Sequence, residues 1–77
     1  MNTKATFPPG GPRQPVYDFL RDLQFTMSPF SDKHWTRLDG IELDLYGAGS
    51  MARVYVNGTA YQDCPLADVA EAIKAKG

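Results

Sequence analysis

Three turn signals crowd the middle of this 77-residue chain, and they leave few ways for it to fold. Asp39-Gly40 and Asn57-Gly58 are dipeptides of two-residue hairpin loops, where the backbone turns through positive φ and most other residues are excluded. Between them, Gly47-Ala48-Gly49-Ser50 reads as a four-residue loop. Each turn fixes a register. The first opposes Leu38 with Ile41, Arg37 with Glu42, Thr36 with Leu43 and Trp35 with Asp44. The second opposes Tyr46 with Met51, Asp44 with Arg53 and Glu42 with Tyr55. The third opposes Val56 with Thr59, Val54 with Tyr61 and Arg53 with Gln62.

The three registers agree on which side chains share a face. One face collects Leu38, Ile41, Leu43, Leu45, Val54, Val56 and Tyr61; the other collects Trp35, Arg37, Glu42, Asp44, Arg53 and Tyr55. A slip of one residue in any hairpin exchanges the two faces of a strand, so mutual agreement selects an antiparallel meander. It has three strands, or four if the segment around Trp35 is extended rather than a short helical turn capped by Ser31 or Asp32.

Amphipathic segments flank the meander. Val16, Phe19, Leu20 and Leu23 follow the i, i+3, i+4, i+7 spacing of one helical stripe, Pro15 stands where a first-turn proline is tolerated, and Pro29 requires the helix to end by Met27 or Ser28. After Cys64, Pro65 opens a second predicted helix with Leu66, Val69, Ala70 and Ile73 on one stripe and Lys74 and Lys76 near its end. Two helices with one apolar stripe each and a sheet with one apolar face bury everything only if both helices lie on that face. The sequence therefore predicts a two-layer α+β sandwich of order α-β-β-β(-β)-α, formed by residues 16–77 as a single domain. Residues 1–15, broken by Pro8, Pro9, Gly10, Gly11, Pro12 and Pro15, read as a disordered Pro/Gly-rich arm that orders only on contact with a partner.

Composition narrows function mainly by exclusion. Eight Lys+Arg against nine Asp+Glu leave a formal charge of -1, with no net field to gather nucleic acid or an anionic membrane. The lone Cys64 excludes an internal disulfide framework and a cysteine-rich zinc site, which suits a reducing compartment, so a cytoplasmic location is expected. No stretch reaches the roughly 20 apolar residues of a membrane span, and the first fifteen residues have no signal-peptide core.

Catalysis needs converging groups, and the predicted registers do not supply them. Cys64 and His34 would form a nucleophile and base only if adjacent, and the predicted register, with His34 in the first strand and Cys64 at the start of the last helix, does not call for it. Glu42 and Asp44 share a face, as paired acid and base carboxylates would, but Arg37 and Arg53 are predicted opposite them as ordinary cross-strand ion pairs. Gly47 to Ser50 is followed by a strand rather than by the helix of a phosphate-binding loop, and Asn57-Gly58-Thr59 reads as a hairpin turn rather than as a glycosylation site. No metal or cofactor is expected, and no enzyme activity. The expected function is a small binding or regulatory module, monomeric or homodimeric, engaging a protein partner through Trp35 and Tyr55 as anchors and Arg37, Glu42, Asp44 and Arg53 as orienting charges. The alternative is weak single-stranded nucleic-acid binding on the same face, by stacking on the aromatics beside Arg37 and Arg53.

Overall fold

The structure, a computed structural model, describes residues 6–76. Helix α1 (Arg13–Asp22) leads into strands β1 (Thr26–Met27), β2 (His34–Thr36), β3 (Ile41–Tyr46), β4 (Met51–Val56) and β5 (Thr59–Pro65). A 3-10 turn at Leu66–Asp68 then runs into helix α2 (Val69–Lys76). The five strands form one antiparallel sheet in sequence order. Val16 and Leu20 from α1 and Val69 and Ala72 from α2 join Ile41, Leu43, Leu45, Ala52 and Val54 in a single buried cluster, so both helices cover the same face. This is the predicted two-layer α+β arrangement with one more strand than the turn signals indicate. The extra strand is β1, whose two residues are too few to show any alternation.

Helix α1 starts earlier and ends earlier than its apolar stripe suggests. Pro15 lies within its first turn, where a backbone N–H has no intrahelical acceptor. Its exit is a Schellman cap: Gln24 takes φ 73 and donates its N–H to the Arg21 carbonyl at 2.9 Å, while the Phe25 N–H reaches the Leu20 carbonyl at 3.0 Å. Leu20 and Phe25 are both buried, the apolar contact that accompanies such a cap. The segment read as a disordered arm is described from Thr6 onward. Phe7 packs its ring on Phe19 with centroids 5.0 Å apart, and the Gly10 N–H donates to the Ala48 carbonyl at 2.9 Å. Residues 1–5 of that arm lie outside the described residues.

The β3–β4 register is the predicted one over all six pairs, from Ile41↔Val56 to Tyr46↔Met51. The β2–β3 register differs by one residue: Trp35 opposes Leu43, and Thr36 opposes Glu42. Arg37 donates its N–H to the Ile41 carbonyl at 2.8 Å, so the loop is the three residues Leu38-Asp39-Gly40 rather than Asp39-Gly40 alone. Gly40, at φ 89, closes it in the left-handed region, as three-residue hairpins require. The shift exchanges the faces of β2. Trp35 is fully buried instead of standing on the open face, and Leu38, expected in the core, is fully exposed in the loop. The exchange is favourable, because a buried indole removes more apolar area from water than a leucine does.

The β4–β5 hairpin begins as predicted, with Val56↔Thr59 and Tyr55↔Ala60, and then shifts at a bulge. Beyond it Val54 opposes Gln62 rather than Tyr61, and Arg53 opposes Asp63 rather than Gln62. Tyr61, the extra residue, is 43% exposed instead of contributing to the core. Pro65 ends β5 rather than opening α2, whose stripe starts from Leu66 in the preceding 3-10 turn.

Candidate functional site

With both helices on one side, no helix among the described residues covers the opposite side of the sheet. Period two along the strands places Glu42, Asp44 and Tyr46 of β3 there, with Arg53 and Tyr55 of β4 opposite Asp44 and Glu42. His34 of β2 stands beside Asp44, and Asp63 of β5 beside Arg53. Of the six residues expected to form a binding face, Glu42, Asp44, Arg53 and Tyr55 are brought together and two are not. Trp35 lies on the helix side, with its Nε1–H donating to the Asp32 carbonyl at 2.8 Å and its ring 5.8 Å from that of Tyr17. Arg37 leaves the open face with it. Its guanidinium lies 5.3 Å from the centre of the Phe25 ring and donates to Asp39 Oδ2 at 2.9 Å.

Both expected ion pairs are therefore rewired. Glu42 does not meet Arg37, because the three-residue loop places His34 within reach in its stead. His34 presents Nδ1 to Asp44 Oδ1 at 2.7 Å and Nε2 to Glu42 Oε1 at 3.3 Å, so one imidazole bridges two carboxylates on the neighbouring strand. Arg53 turns away from Asp44, since the bulge brings a carboxylate opposite it on β5. Its Nε and Nη2 donate to Asp63 Oδ1 and Oδ2 at 2.9 and 3.2 Å, a fork-to-carboxylate pair, and its guanidinium lies 5.7 Å from the centre of the Tyr46 ring. The hydrogen bonds from Arg53 hold the Asp63 carboxyl below its ordinary value, and Asp63 raises the guanidinium in turn.

His34, Tyr46 and Asp63 are the members that the sequence reading missed. Tyr46 was in phase with Glu42 and Asp44 and could have been read from period two alone. His34 and Asp63 both depend on the two hairpins whose loop count or bulge altered the register.

Cys64 is buried opposite Ala52 on the helix side, so the sheet separates it from His34, and burial pushes its thiol up, away from thiolate. Among the described residues no group of three or more His, Cys, Asp or Glu is placed to hold a metal ion. No helix of the described residues is long and apolar enough to cross a membrane. A shallow depression lies elsewhere, at the end of the sheet, lined by Gln24, Arg37, Leu38 and Asp39. Comparison with family models, with curated proteins and with solved structures finds no match for the chain.

Proposed function

We propose that the chain is a small non-catalytic binding module whose docking surface is the open face of its sheet, and that it engages another protein. The observation that carries this reading is the asymmetry of cover: both helices lie on one face, leaving the other as a broad platform with Tyr46 and Tyr55 set among charges. Aromatic side chains that keep one side toward water, ringed by charges that fix orientation, are the usual means of protein recognition. The reading extends to a monomer or homodimer in the cytoplasm, where a lone reduced cysteine is ordinary. It invokes no cofactor.

Nucleic-acid binding on the same face loses most of its support. Of the four side chains that favoured it, Trp35 and Arg37 face elsewhere, Arg53 is engaged by Asp63, and Tyr55 stands opposite Glu42. Glu42, Asp44 and Asp63 around Arg53 and His34 make this face a weaker attractor of phosphates than the predicted register implied.

The test is an amide NMR titration of labelled protein with lysate fractions of the source organism and, separately, with single-stranded DNA and RNA. Shifts or broadening confined to residues 42–46 and 53–55 with a protein fraction, and weakened by Tyr55→Ala and Asp44→Lys but not by Leu38→Ala, are expected. Shifts on that face with oligonucleotide that vanish as salt rises would overturn the reading in favour of nucleic acid.

A further inference from the structure

Two dipeptides in which glycine follows an acidic or amide side chain occupy the same end of the sheet, and the fold treats them differently. Asp39-Gly40 is clamped. Asp39 Oδ2 accepts from Arg37 Nη2 at 2.9 Å, Oδ1 accepts from the Ile41 N–H at 3.3 Å, and the Gly40 N–H is directed at the Arg37 carbonyl at 3.4 Å. Asn57-Gly58 is open. Both residues are exposed, φ is 51 and 83, and nothing lies within 4 Å of the position a Cβ would take on Gly58. The Asn57 N–H donates to the Gly40 carbonyl at 3.0 Å, but neither the Asn57 carboxamide nor the Gly58 N–H joins a hydrogen bond within the described residues. In a two-residue loop the ladder closes through the flanking pair, here Val56 and Thr59, which leaves the Gly58 N–H pointing to solvent.

We propose that Asn57 is a modification site, at which the folded protein spontaneously loses its side-chain amide. The deprotonated Gly58 nitrogen attacks Asn57 Cγ, the new N–Cγ bond closes a five-membered imide, and the Cγ–Nδ2 bond breaks as ammonia leaves with the proton. Water then adds to one of the two imide carbonyls. Opening at the Cγ carbonyl gives aspartate, and opening at the main-chain carbonyl gives isoaspartate, with the chain running through the former side chain. The aspartate product places a new carboxylate near Gly40, since a Cβ on Gly40 would collide with Asn57 Oδ1. Isoaspartate also inserts one carbon into the main chain of the two-residue loop that joins Val56 to Thr59.

The experiment incubates the folded full-length chain at mildly alkaline pH, followed by peptide mass mapping and an isoaspartyl methyl-transfer assay. Asn2, the only other asparagine, is followed by the β-branched Thr3 and serves as an internal standard. The expected result is loss of the amide at position 57 while Asn2 and the Asp39-Gly40 linkage stay intact, with amide shifts centred on Val56 and Thr59. Asn57→Gly keeps a dipeptide suited to the turn and should abolish the reaction. Unfolding in denaturant should release the clamp and let Asp39-Gly40 isomerise as well. An Asn57 that survives in the folded chain and reacts only in denaturant would overturn the proposal, as would equal conversion at positions 39 and 57 in the folded chain.

Discussion

On the helix side of the sheet Trp35, Leu43 and Val54 are wholly out of water, and the buried set contains no charged side chain. On the other side His34, Glu42, Asp44, Arg53 and Asp63 meet through short polar side-chain contacts, yet each keeps between 39 and 48% of its side chain exposed. Distance alone would rank the second set as the stronger. Burial reverses that order, because each large apolar side chain taken fully out of water contributes about 1.5–3 kcal/mol, whereas exposed ion pairs compete with water, salt and side-chain entropy. One face holds the fold together, and the other contributes far less to it.

The sharpest way to break this division is Trp35→Ala. It should cost about 3–5 kcal/mol, the range for truncating a buried aromatic, enough to unfold a domain of this size. Urea unfolding followed by circular dichroism measures it, since the variant has lost the chain's only tryptophan. Gly40→Ala tests what keeps Trp35 on its side. A left-handed φ of 89 is costly for any residue with a Cβ, and that Cβ would displace the Asn57 carboxamide. A loss of about 1–2 kcal/mol is expected in the same measurement.

The smallest effect should come from Asp63→Asn on the open face. The folded carboxyl is held below its ordinary value of 3.8, so its contribution is present above that pH and is lost as pH falls through the lower folded value. The variant should therefore melt close to the parent at low pH, sit slightly below it at neutral pH, and lose that gap as salt is added. A neutral-pH loss as large as that of Trp35→Ala would show the two faces to be equal partners in stability.

How much of this was legible in the chain depended on whether side-chain period or turn geometry decided it. The six pairs of β3 and β4 followed from a four-residue loop and strict alternation, and with them the placement of Glu42, Asp44, Arg53 and Tyr55 on one face. Asp39-Gly40 admits either a two-residue turn or the end of a three-residue loop, and only the backbone hydrogen bond from Arg37 to Ile41 distinguishes them. That single residue carried Trp35 and Arg37 to the other side. A bulge is harder to read, because Tyr61 suits the core by its chemistry and is excluded only by the path of the strand. The early start of α1 was obscured by Pro15, which marks a helix opening without saying which position of the first turn it takes.

The bulge has a consequence for how copies of this chain behave at high concentration. Among the described residues the five-stranded sheet ends in two edge strands, each a row of main-chain donors and acceptors on which further strands could template, the first step toward a fibril. One rim is β1, only two residues long, which offers almost nothing to copy. The other is β5, seven residues long, but its spacing is interrupted at Tyr61 and its last residue, Pro65, has no N–H to give. Both rims are thus short or interrupted templates for strand addition.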